Sequence, residues 1–190
     1  MDGDNLLNYI TLISFGPVKK EIMEHLAASI YEQCGLACKI EKSINIPKHT
    51  YNEVRVQYNS KLILKYFIGN YTFNTPKVIG VTQVDLYVPI LKYVFGLAQI
   101  QGQCAIISLY RLYPEFYTEP ANPGLLLKRA EKIALHELGH TLGLTHCRNK
   151  LCVMHSSIQI TDMDFKQSIF CSTCSELFNW YREKLHVNTP

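Results

Sequence analysis

The run His136-Glu137-Leu138-Gly139-His140 sets two imidazoles four residues apart. On a helix that spacing puts both on one face, about 6 Å apart along the axis and within reach of one metal ion. Glu137 is turned about 100° from His136, so it stands beside such an ion rather than on it, where it can take a proton from water. Gly143 follows three residues after His140, where glycine tolerates the positive φ of a turn out of the helix. That turn brings His146 back towards the ion. Three histidines leave a fourth position open, the arrangement of a catalytic zinc and not of a closed structural one. Zinc held this way acidifies water and polarises a carbonyl, and Glu137, as general base, then passes the water proton to the leaving nitrogen. Amide hydrolysis is the reaction these residues support best.

Cys147 comes directly after the third histidine. It forms a C-x4-C pair with Cys152, and Cys171 forms a C-x2-C pair with Cys174, the spacing that closes a tetrahedral four-cysteine zinc site. Four thiolates leave no open position, so this second ion is expected to be structural. Two disulfides are the alternative. The N-terminal Met-Asp-Gly-Asp-Asn lacks the basic stretch and apolar run of a secretion signal, which favours a cytoplasmic, reducing location and metal ligation. Cys34, Cys38 and Cys104 lie among apolar residues and read as buried free thiols. His25, His49 and His186 read as structural. His155, next to Met154 and close in sequence to both metal sites, is a candidate for a supporting contact to the metal ligands or to substrate.

The elements that must position these side chains follow from periodicity. Residues 9–15 are β-rich and end at Gly16-Pro17, after which Val18, Ile22, Leu26 and Ile30 recur at helical spacing. A second strand is expected in 36–46, completing a βαβ unit. Asn59 and Ser60 can cap a helix running to Phe67 and terminated at Gly69. Residues 77–84 read as a strand, and 93–98 with 103–109 read as a hairpin turned at Gln101-Gly102. A long helix from Gly124 to Leu142 carries the first two histidines and stops near Gly143, and a last helix spans about 172–185. The stretch from Thr145 to Phe170 is long for an irregular connection, and the cysteine site is what would pin it. The order points to an α/β (α+β) fold, a mixed twisted sheet with helices packed on it.

At 190 residues, 47% hydrophobic and 18% charged, the chain can bury one core without a staple. A net charge of +3 with scattered Lys and Arg indicates neither nucleic acid nor an anionic membrane as partner, and no apolar segment has the length of a membrane span. A peptide or protein substrate and a monomer are expected.

The run from His136 to His146 resembles the zinc-binding consensus of the metzincin metallopeptidases, and Cys147-x4-Cys152-x-Met154 with Cys171-x2-Cys174 resembles the archaemetzincin subgroup. The resemblance implies a zinc metallopeptidase with two Zn2+ per chain, one catalytic and one structural. It implies an N-terminal lobe (residues 1–143) with the mixed sheet and active-site helix, above a smaller C-terminal lobe (144–190) with the third histidine. Met154 would supply the family's methionine turn, an apolar floor under the histidines. An antiparallel edge strand would pair with the substrate in the cleft; its candidate lies within 93–98, in Gly96, Leu97 and Ala98, with Gly96 permitting close backbone approach. A zinc-stabilised peptide-binding module with little turnover is the competing reading, and Glu137 argues against it, because binding alone needs no carboxylate there.

Overall fold

The first apolar run is a strand because both of its faces are covered. In the computed structural model, which describes residues 9–185, β1 (Tyr9–Phe15) is buried from Ile10 onward. Then follow α1 (Lys20–Cys34), β2 (Ala37–Ile44), β3 (Tyr51–Asn52), β4 (Gln57–Asn59), α2 (Ser60–Asn70), β5 (Val78–Thr82), β6 (Leu86–Tyr87), β7 (Gly96–Ala98), β8 (Cys104–Ser108), α3 (Pro123–Leu142), α4 (Ile160–Phe165) and α5 (Ser172–Leu185). The five-stranded sheet runs β2-β1-β5-β8-β7, parallel throughout except for β7, which is antiparallel to β8. A mixed α/β fold with an antiparallel edge strand is therefore present, and β1-α1-β2 is the expected parallel unit.

Strand alternation sorts the core into two layers. Ile10, Leu12, Ile79, Val81 and Ile107 meet α1 and α3 through Leu26, Ile30, Ile133 and Leu138. Ile13, Phe15 and Ile106 meet α2 through Ile63 and Phe67, with Leu97 packed at the margin. Leu144, Met154, Met163 and Phe178, all beyond α3, join the α1/α3 layer, so the segment after Gly143 closes over the side of α3 away from the sheet.

Several boundaries differ from the periodic reading. Asn59 does cap α2, its side chain accepting from the Lys61 and Leu62 amides, but the helix runs through Gly69 to Asn70. Gly69 does not adopt the left-handed conformation of a helix-ending glycine, so it occupies the last turn, one residue short of the end. The edge strand is three residues long instead of six, because Val94 bridges back to Leu86. A small sheet of order β3-β4-β6 lacks the length to give a periodic signal. The supposedly irregular stretch contains α4, whose Asp162 carboxylate accepts from the Ile158 and Gln159 amides. His186 lies outside the described residues.

Candidate metal centre and its surroundings

Asn122 starts α3 by accepting from the Leu125 amide, with Pro123 in the first turn. The helix is covered on both sides from Lys132 to Gly139, which fixes the rotamers of what it carries. The His136 Nδ1–H donates to the Val153 carbonyl at 2.9 Å, and the His140 Nδ1–H donates to the Leu144 carbonyl at 2.7 Å. Each carbonyl can only accept, so the proton sits on Nδ1 and the Nε2 lone pair is free for a metal. The two Nε2 atoms are 3.1 Å apart, near the separation of about 3.4 Å that tetrahedral zinc with bonds of about 2.0–2.1 Å imposes.

Beyond Leu142 the chain reverses. Gly143 has φ 105°, its amide bonds to His140 and the next, Leu144, to the Gly139 carbonyl at 3.0 Å. This is a Schellman closure, which a residue with a Cβ makes only under strain. It returns His146 to the helix: one ligand atom from each of His136, His140 and His146 lies within 4.8 Å of the others. His146 is exposed, so the ion position is open on that side. Burial lowers the proton affinity of all three imidazoles, most for His136, and the nearby Lys166 charge acts the same way. Neutral imidazole is the ligand form.

Glu137 is 5% exposed, and burial pushes its carboxyl up to about 8, against the opposing influence of Lys166. It lies against the edge strand: a Cβ built on Gly96 would come 2.7 Å from Glu137 Oε1. The glycine expected to admit a peptide backbone thus also makes room for the carboxylate of the chain itself. Gly96 faces α3, whereas Leu97 faces α2.

Met154 is fully buried directly under the helix, where a Cβ on Gly139 would collide with its thioether. Gly139 is thus required by the sulfur below it. The methionine sits between two bonded neighbours. Val153 holds His136 as above, and the Met154 carbonyl accepts from the Cys147 amide at 2.9 Å.

One sulfur from each of Cys147, Cys152, Cys171 and Cys174 lies within 4.8 Å of the other three. Cys147 Sγ and Cys171 Sγ are 3.7 Å apart, and a tetrahedral zinc with bonds of about 2.3 Å spaces sulfurs about 3.8 Å. All four converge on one point, which suits a single ion better than two separate pairs. Backbone N–H groups of Asn149 and Cys171 point at Cys147 Sγ and Cys152 Sγ, at 3.4 and 3.3 Å, and such donors stabilise thiolate. Burial raises Cys34 and Cys38 to about 12 and Cys104 to about 11, and with none of the three among the converging sulfurs they remain inert thiols. His155 donates from Nδ1 to the Cys147 carbonyl, joining the two clusters.

Lys166 carries no sequence signal. It is 1% exposed, and its Nζ donates to the Val153 carbonyl at 2.9 Å and the His155 carbonyl at 3.0 Å. Burial lowers its pKa to about 8 while the Glu137 charge works the other way. A lysine in a polar stretch reads as surface by default, and only the fold reveals that the carbonyl orienting His136 has a second donor.

The sequence model described as Peptidase family M54 matches residues 5–179. The chain is 46% identical to the archaemetzincin of Methanocaldococcus jannaschii over 161 residues, covering 84% of this chain and 86% of that one. The crystal structure of archaemetzincin from Methanopyrus kandleri is similar with a TM-score of 0.84 and 32% identity, over 96% of this chain and 99% of that one. A zinc-dependent peptidase from Methanocorpusculum labreanum is similar with a TM-score of 0.79 and 26% identity, over 90% of this chain and all of the other.

Proposed function

The chain belongs to peptidase family M54 and is a zinc-dependent metallopeptidase, and from that premise we propose that Glu137 is its general base and that His136, His140 and His146 hold the catalytic ion. The observation that carries the proposal is the convergence of three histidine donors beside a buried carboxylate that lies against the open edge of the sheet. Zinc, when bound there, supplies the positive charge that acidifies water and polarises the scissile carbonyl.

The remaining work falls to the chain. Gln99 donates its amide to Cys104 and Ser108 donates its amide to Phe95, so along β7 the alternate residue Leu97 also faces β8 while the N–H and C=O groups of Gly96 and Ala98 point outward. An extended peptide laid on that edge is held by those groups in the manner of an added strand. Gly96 sets the peptide beside Glu137, whose carboxylate takes the proton of the attacking water and returns it to the leaving nitrogen. Burial raises its proton affinity towards neutrality, which suits a group that must both accept and give up a proton. Cys147, Cys152, Cys171 and Cys174 hold a second, structural zinc.

Glu137→Gln keeps the shape and removes the base. We expect kcat for a cleaved peptide to fall by about 10²–10⁴, with the zinc content of the purified protein unchanged. Equal cleavage by both proteins would reject Glu137 as the base.

A further inference from the structure

Pairing on β7 aims alternate substrate side chains at opposite faces of the sheet. One set faces α3 and the histidines. The other faces α2, where a groove of about 530 Å³ runs between β7 and the helix, within the about 300–1,000 Å³ of ligand sites. Its floor is apolar, with Leu64, Ile68 and Leu97, and Gly69 leaves its end unfilled. Lys61 and Lys65, one helical turn apart, stand on the rim and are exposed. Neither is in an ion pair among the described residues, and no Asp or Glu lines the groove. Leu97 directly follows Gly96, so the groove begins about 3.3 Å along the strand from the point where Glu137 meets it.

We propose that this groove is a specificity subsite for an acidic substrate side chain, above all glutamate: its methylenes lie on Leu64, Ile68 and Leu97 and its carboxylate meets Lys61 and Lys65. The proposal rests on the peptidase reading for its substrate and adds the side chain that the chain selects. An apolar floor alone favours a hydrophobic residue; the two unpaired cations with no acid between them add a preference that a leucine leaves unused.

The test uses a quenched fluorescent peptide in which each position in turn carries Glu, Gln or Lys. Zinc-loaded wild type is assayed for kcat/KM, and labelled copies are titrated into the Glu137→Gln variant by anisotropy. We expect Glu over Lys by about tenfold at one position or at positions two apart, the scale of two exposed ion pairs, shrinking at about 1 M salt where the Debye length is about 3 Å. The Lys61→Glu/Lys65→Glu double variant, both changes being on the surface, should reverse the order to favour Lys. Cleavage with no charge preference at any position, or a preference that survives the double reversal, overturns the subsite and leaves the peptidase reading standing. Lysine-dependent binding of the Glu peptides without cleavage of any peptide does the opposite. Self-association through β7 that the double reversal disrupts assigns the groove to a second copy and overturns the proposal.

Discussion

A methyl group on Gly139 would run into the Met154 thioether, so the helix glycine between the two histidines is a packing residue as well as a spacer. Gly139→Ala gains about 1 kcal/mol of helix propensity but overpacks a buried site, which costs about 1–3 kcal/mol. The collision dominates, and a lower urea midpoint is expected. Met154→Ala removes the obstacle and alone costs about 2–5 kcal/mol. The double variant should lose less than the sum of the two, and additive losses would mean that the glycine and the sulfur are independent. The imidazoles make a second prediction at this scale. Their folded pKa values lie below the ordinary 6.5, so the unfolded chain binds protons that the folded chain refuses as pH falls below about 6.5. Stability from neutral, buried histidines is fully present above that pH and is lost beneath it. Urea midpoints of chelator-treated protein should therefore drop between pH 6.5 and about pH 5.5, a slope that saturating zinc leaves at least as steep because it keeps the folded imidazoles free of protons.

At the scale of elements, the segment after α3 is held by cations as well as by cysteines. Arg129, 2% exposed, makes two parallel bonds to Asp164, and Lys132 donates to the Met163 carbonyl. Lys166 then reaches Val153 and His155. Arg129 and Lys132 fasten α4 from one flank of α3, and Lys166, just past α4, ties it to the methionine turn below the histidines. Lys166→Met leaves the His155 carbonyl without this donor and loosens the group that aims His136. Zinc affinity at the histidine site should fall by about 10–100-fold, measured against a chromophoric chelator; an unchanged affinity would show that the backbone alone fixes the Val153 carbonyl. The histidine and cysteine clusters were legible in the sequence because metal geometry dictates their spacing. The long strands and α3 were legible because each has a period. The small sheet was not, since strands of two or three residues carry no alternation, and α4 was hidden by a polar, cysteine-flanked context. Buried Arg129, Lys132 and Lys166 were illegible because what makes them internal is carbonyls and a carboxylate supplied by residues 11 to 35 positions away.

For the molecule as a whole, one core runs from β1 to α5, so the cysteine cluster is a local fastening on a fold with its own apolar interior. Metal analysis of purified protein should give two zinc ions per chain. Cys171→Ser/Cys174→Ser should retain one and lower the thermal midpoint, whereas His146→Ala should lose the other, abolish cleavage and lower the midpoint by less, because α3 is held by the core on its own. Cys147 directly follows a candidate ligand of one ion, and Cys152 directly precedes the residue whose carbonyl orients another. A thiol oxidant or a thiophilic ion such as cadmium that distorted the four sulfurs would therefore pull on His146 through one peptide unit and on His136 through Val153 and its hydrogen bond. Hydrolysis would be poisoned from the cysteines with every histidine chemically intact, and the redox state of the surroundings becomes a property of the active site.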